Sequence, residues 1–388
     1  VITLKFKLYQ SKKNIHLHHQ IDIAGVIWNH CIALQRKYYK LSGKYITVYT
    51  MQKHIANLKA LPKYEFWNKV GSQAIQQICE RVNNSYQLFF KYKRGEIKQK
   101  FDRPGFKKVK HYTSFTLKQA GWKLLGSNKI RIGKLTFKFA KSRELLGTIK
   151  TVTVKRNKLG ELFICFAMDT DKEDVPNRSP KNVVGIDFGL KTFLTLSTNE
   201  SIESPLFFKS RLKDIRKANR NLSRKAERSN NRWKANRHLC RLHEDIANQR
   251  KDWFYKLAHD LTNRFDVICL ETLNIKAMKQ LWGRKVSDLA FSQFRDILCL
   301  VAAKKGVIVH FIDRFYPSSK TCSVCGHIKH DLTLNDRRWR CSSCHTVVDR
   351  DANAAVNILR EGASSLGLGD VRPAIVGNPC LTPESHVL

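Results

Sequence analysis

The chain has 388 residues, 42% of them hydrophobic, enough to bury sizeable cores and to divide into two or three domains. Its 71 Lys and Arg stand against 32 Asp and Glu, a formal net charge of +39. An excess of that size, spread along the whole chain, is no accident of one basic tail and points to a polyanion bound with steep salt dependence, the alternatives being a solvated basic surface, a ribosomal-type protein or an anionic membrane. No stretch reaches the roughly 18 consecutive apolar residues of a transmembrane helix, so no membrane partner is expected. The start, VITLKFKLYQSKKN, has no apolar signal-peptide core. Eleven cysteines, scattered singly except for two C-x-x-C pairs, suit buried thiols and one metal site in a reducing, cytoplasmic compartment.

In chain order, residues 1 to about 20 alternate apolar and basic (ITLKFKLY), a strand pattern. Residues 21–94 change to helical period, as in Ile75, Ile78, Val82, Tyr86 and Phe89. From 95 to 170 short strands are punctuated by Gly and Asn, and TVTVKRNKLGELFICFAMD predicts a hairpin turning at Leu159-Gly160. A small β-barrel with a basic outer face is expected there, either a solvated surface or, given the net charge, a nucleic-acid surface. DKEDVPNRSPKN, 171–182, reads as a linker.

The next domain opens on Val183, Val184 and Ile186, with Asp187 at the end of this apolar strand. A buried carboxylate needs compensation. Turn amides, the phosphate strand of an actin-like ATPase and a metal-binding acid of an RNase H-like nuclease are all compatible with it. The DFG tripeptide lacks the glycine-rich loop and HRD partner of a kinase. Residues 209–264 predict two long basic helices broken near Ser229-Asn230-Asn231; the second carries an apolar stripe of Trp233, Leu239, Leu242, Ile246, Trp253, Leu257 and Leu261. FDVICLE then repeats the earlier pattern, an apolar strand closed by an acid, Glu271. A helix and another strand follow (FSQFRDILCLVAAKKGVIVHFID), the alternation of a mixed α/β sheet.

Cys322, Cys325, Cys341 and Cys344 form C-x2-C-x15-C-x2-C, the spacing of a zinc ribbon. Four thiolates leave no open position, so the zinc is expected to be structural. Lys320, Arg337, Arg338 and Arg340 are near enough in sequence to offset its negative charge. VVDRDANAAVNILREG then predicts a helix, with Asp351 at its start either as an N-cap or as a third acid beside Asp187 and Glu271. Three carboxylates in one place suit two Mg2+ ions, which can drive in-line phosphodiester hydrolysis.

GIDFGLKT, ICLETLNI, YPSSKTCSVCGHIKHDLTLNDRRWRCSSCHTVVDRDANAAVNIL and GLGDVRP together resemble the transposon-encoded TnpB (OrfB) family, relatives of type V CRISPR effectors. The resemblance covers nearly the whole chain and is most specific over 183–359. It implies an α/β RNase H-like (RuvC) nuclease domain with an inserted zinc ribbon, plus an N-terminal β-barrel wedge with an inserted helical unit. The expected division is a wedge of 1–20 and 95–170, a helix-turn-helix or recognition unit of 21–94, a linker of 171–182, a nuclease of 183–316 and 346–362, a ribbon of 317–345 and a flexible tail of 363–388. The implied activity is RNA-guided cutting of target DNA, with guide RNA and DNA as partners. By motif, the catalytic, magnesium-binding acids fall on Asp187, Glu271 and Asp351, with Asp349 a neighbour of the last, and the zinc ligands fall on the four cysteines. A transposase proper, or a non-catalytic zinc-ribbon DNA-binding protein, would share the charge and the ribbon. The second leaves the three acids without a purpose.

Overall fold

The computed structural model describes residues 2–169, 178–333 and 336–369. Two compact units divide the chain, 1–173 and 174–388. Among the described residues no helix is long and apolar enough to cross a membrane.

The first unit begins with β1 (Ile2–Lys7), followed by α1 (Asn14–Ser42), α2 (Val48–Lys59), a 3-10 helix (Pro62–Lys69) and α3 (Ser72–Lys93). The strand expected up to about residue 20 ends at Lys7, and α1 begins at Asn14. Two local contacts explain the early start. The Ser11 hydroxyl meets Asn14 Oδ1 at 3.0 Å, and Asn14 Nδ2 donates to the Tyr9 carbonyl at 3.1 Å. From there Leu17, Ile21 and Ala24 recur at helical spacing and are buried. β2 (Ser114–Leu117), β3 (Trp122–Leu124), β4 (Lys129–Ile132), β5 (Leu135–Lys138), β6 (Thr148–Arg156) and β7 (Leu162–Asp169) complete the unit. They form an antiparallel sheet in the order β1-β7-β6-β2 and a three-stranded sheet, β3-β4-β5. A bridge between Leu8 and Phe139 joins the two. The β6–β7 hairpin turns where expected: Gly160 has φ +78°, and Asn157 Oδ1 accepts from the amides of Leu159 and Glu161.

The second unit runs through β8 (Val183–Phe188), β9 (Leu194–Leu196), β10 (Ser201–Ile202), α4 (Phe207–Ser210), α5 (Leu212–Ser223), α6 (Asn230–Arg264), β11 (Val267–Glu271), α7 (Ile275–Leu289), α8 (Phe291–Lys305) and β12 (Ile308–Ile312). After these come β13 (Arg338–Arg340), β14 (Val347–Asp349) and α9 (Arg350–Ser365). Five strands make one sheet in the order β10-β9-β8-β11-β12, antiparallel through β8 and parallel from β8 to β12. Residues 178–182 are anchored by Asp266, whose carboxylate accepts from the Asn182 amide at 3.0 Å. The rest of the expected linker, 171–177, lies outside the described residues.

Ser229 caps α6 by accepting from the Arg232 amide at 3.1 Å, at the break expected there. Of the apolar stripe on α6, Ile246, Leu257 and Leu261 are buried, joined by Phe254 and Ala258. Trp233 is not part of it. Its ring is 59% exposed with the Arg237 guanidinium 5.3 Å from its centre, because it lies in the first turn, ahead of the stretch that packs on the sheet. The expected tail also starts later than residue 363. Ala363 is fully buried in α9, and of the remainder 370–388 lies outside the described residues.

Two glycines bring α9 hard against the sheet. A Cβ on Gly185 of β8 would meet the Ala355 carbonyl oxygen at 2.2 Å and the Leu359 nitrogen at 2.4 Å. One on Gly362 of α9 would meet Cys269 Sγ of β11 at 2.4 Å. The helix thus lies across β8 and β11 at a distance that only glycine permits.

Candidate active site

Strand alternation decides which residues face α9. Gly185 and Asp187 share one face of β8; Cys269 and Glu271 share one face of β11. Because Cys269 pairs with Gly185 and Leu270 with Ile186 in the parallel ladder, continuing that register sets Glu271 beside Asp187, under the same helix. Asp351 is one helical turn ahead of Ala355, the residue that rests on Gly185, so it overhangs the strand end that carries Asp187.

The electrostatics agree. Asp187 is only 8% exposed. Burial, then the negative charges of Glu271 and Asp351, push its carboxyl well above the usual carboxylate range, while Arg350 opposes the shift. Burial likewise pushes Glu271 up to about 7. Two carboxylates neighbouring in the sheet disfavour each other's charged form, so the pair resists full ionisation. Asp351 is held differently: Arg337 Nη1 donates to it at 3.0 Å, and Arg350 Nε and Nη2 donate at 3.2 Å. Arg337 therefore serves an acid rather than the cysteines, a correction to its expected role.

The DRD run divides its work between its acids. Asp349 is the N-cap of α9, accepting from the amides of Asp351 and Ala352 at 3.1 Å each. This leaves Asp351 in the first turn without capping duty, so the N-cap alternative applies to Asp349 instead.

The four cysteines come together. Their sulfurs all lie within 4.8 Å of one another, with Cys322–Cys344 at 3.7 Å and Cys325–Cys341 at 3.5 Å. A tetrahedron of thiolates at zinc has sulfur–sulfur edges of about 3.8 Å, so the set fits that ion. The two knuckles are built alike. Gly326 and His345, each four residues after the first cysteine of its pair, take φ +78° and +59°, and their amides donate to the carbonyls of Cys322 and Cys341. Hydrogen bonding with the side chain and backbone of Thr346 lowers the Cys344 thiol to about 6, favouring thiolate at neutral pH. Cys322, Trp339 and Cys341 form a small core of their own.

Sequence reading missed three polar residues that organise this unit. Asp288 is buried and accepts from the amides of Phe208 and Lys209 at 2.9 and 3.1 Å, fixing α4, with Arg250 at 3.2 Å. Asn353 and Asn357 are buried on α9. The two asparagines, four apart at helical spacing, were visible as a polar interruption of an apolar face; nothing local marks Asp288.

The OrfB_IS605 family profile, described as "Probable transposase", matches residues 163–281, and a profile described as "Cas12f1-like, TNB domain" matches 291–358. A Streptomyces pristinaespiralis protein called "Putative RNA-guided DNA endonuclease" is 32% identical over 329 residues, covering 81% of this chain and 78% of that one. The chain belongs to the OrfB (TnpB) family. Another member, the Escherichia coli protein "Putative RNA-guided DNA endonuclease InsQ", is 28% identical over 365 residues, 89% of this chain and 88% of its own. The Cas12f1–sgRNA–target DNA complex contains a chain of similar fold, with a TM-score of 0.57 at 16% identity over 90% of this TnpB-family chain and 83% of that chain.

Proposed function

We propose that this protein is an RNA-guided DNA endonuclease acting in the cytoplasm, with a RuvC-like site of RNase H fold formed by Asp187, Glu271 and Asp351. What supports this reading is a buried Asp187 with Glu271 next in the sheet register and the charges of Glu271 and Asp351 both near enough to raise its carboxyl. Arg337 and Arg350 both pair with Asp351, and the three acids offer oxygen donors that fit divalent Mg2+. Bound there, two such ions would supply an activated water and stabilise the leaving oxygen of a phosphodiester.

The chain's own part is to hold the three carboxylates in register, keep Asp187 buried, and release Asp351 from Arg337 and Arg350 when cations take over its neutralisation. The cysteine set would hold zinc as a structural ion. The first unit, read as a barrel wedge with an inserted helical unit, would grip guide RNA and its DNA hybrid through backbone phosphates, leaving sequence reading to base pairing. Lys and Arg of α5 and α6 would guide the displaced single strand.

The test is Mg2+-dependent cutting of DNA matched to RNA that copurifies with the protein. Wild-type protein should cut. Asp187→Ala, Glu271→Ala and Asp351→Ala should each lower the rate by at least about a hundred-fold, the scale on which single charge-stabilising groups act, while RNA stays bound. Normal cutting by any one of them would remove that residue from the site. The family profile's description favours a second reading, a transposase proper, and joined-strand products in the same assay would support it.

A further inference from the structure

Between the cysteine cluster and the acid site lies a short polar joint. Asn353 and Asn357 are 3% and 2% exposed, on the face of α9 that meets residues 318–323. Asn357 Nδ2 donates to the carbonyls of Ser318 at 2.8 Å and Thr321 at 2.6 Å. Asn353 Nδ2 donates to the Thr321 carbonyl at 2.7 Å, and its Oδ1 accepts from the Ser323 amide at 2.8 Å. One helical turn further on, the Arg360 guanidinium donates to the Ser323 carbonyl. The backbone is therefore gripped immediately before and after Cys322, itself buried. Buried amides are tolerated only where each finds a partner, and these find theirs in the knuckle.

We infer that Asn353 and Asn357 are positioning residues that lock the first cysteine knuckle to α9, so that the metal-bound ribbon sets the position of Asp351 over Asp187 and Glu271. Asp351 is two residues from Asn353 on the same rigid helix, about 3 Å along its axis. A shift of the knuckle is passed to that carboxylate with little loss, because the interior between them is packed and hydrogen-bonded. Glycine contacts at 185 and 362 fix how closely α9 approaches the sheet; the asparagines fix how far it slides and turns. This inference rests on the proposed acid site.

Asn357→Asp is the discriminating variant. It keeps the shape and replaces the donating amide by an oxygen facing two carbonyl oxygens. Zinc per chain, the half-saturating Mg2+ concentration for cutting, and hydrogen exchange along α9 are measured on the full-length protein with its RNA. Zinc content should stay at the wild-type value while half-saturating Mg2+ rises at least about ten-fold, as for other groups that orient metal ligands. Amides 351–357 should exchange faster than in wild type. A merely structural role would lower the active fraction without moving the Mg2+ requirement. A zinc-loaded variant with half-saturating Mg2+ within two-fold of wild type would overturn the inference.

Should Asn357→Asp not fold, wild-type protein stripped of zinc by a chelator decides. Faster exchange over 351–357 with unchanged exchange in β8 and β11 supports the lock, and unchanged exchange in α9 overturns it. Asp187→Ala separates the two levels: normal cutting by that variant removes the acid site itself, whereas its failure to cut leaves the asparagine result to stand or fall alone.

Discussion

Asp187 and Glu271 carry a conflict that folding alone does not resolve. Each is an acid closing an apolar strand, and the strands are neighbours, so two charges that would be harmless in water are set side by side, Asp187 buried and Glu271 partly so. Both carboxyls are raised, Glu271 to about 7. For an acid whose folded pKa exceeds its unfolded value, the native chain binds more protons than the unfolded one between the two values, so stability falls as pH rises. Without divalent cations the protein should lose on the order of 3 kcal/mol between about pH 4.5 and 7, and Mg2+ should restore it above pH 7. Thermal unfolding across that range, with and without Mg2+, checks this. Asp187→Asn should stabilise the metal-free chain at pH 8 while abolishing cutting; destabilisation would mean that the buried charge is satisfied by protein groups alone.

Both of these acids were legible in the sequence because an acid ending an apolar strand is conspicuous twice over. The division of labour between Asp349 and Asp351 was not, since spacing within a turn does not say which carboxylate bonds the free amides. Arg337 was assigned to the wrong charge for a related reason: proximity along the chain favoured the cysteines, whereas folding delivers it to Asp351.

At the scale of elements, the approach of α9 to β8 is the critical contact. Gly185→Ala touches no proposed ligand, yet its methyl would have to displace helix backbone at Ala355 and Leu359. A loss of at least about 3 kcal/mol in stability is expected, the upper end for overpacking, together with weaker Mg2+ dependence of folding. Urea unfolding measures it; a change below 1 kcal/mol would mean that α9 moves freely. In the second unit β8, α5, α6, β11, α8, β12 and α9 were readable from periodicity and the cysteine ribbon from spacing, whereas β9, β10, α4 and α7 were not read. The start of α1 was not readable, because His16, His18 and His19 hide the helical period until Leu17 and Ile21 are seen to share a face. Trp233 was misread for the opposite reason: apolar spacing continues one turn beyond the packed part of α6.

For the whole molecule, charge governs partners. Lys and Arg exceed acids by 39 over 388 residues, and the exposed basic face of α5 and α6 has few acids to neutralise it. Binding to nucleic acid of unmatched sequence should weaken about 10³–10⁵-fold between 50 and 200 mM salt if six to ten phosphates are neutralised. Single Lys or Arg substitutions should each reduce the slope by only about one. Affinity independent of salt would exclude a phosphate-dominated surface.

The central claim is that acids separated by 164 positions in the chain, Asp187 to Asp351, share divalent cations. Crystals soaked in Mn2+, with the ion located by its anomalous scattering, test it most directly. Density between Asp187, Glu271 and Asp351, with an oxygen of each acid coordinating and Arg337 displaced from Asp351, is the predicted result. Mn2+ bound elsewhere, with Asp351 still paired to Arg337, would contradict it.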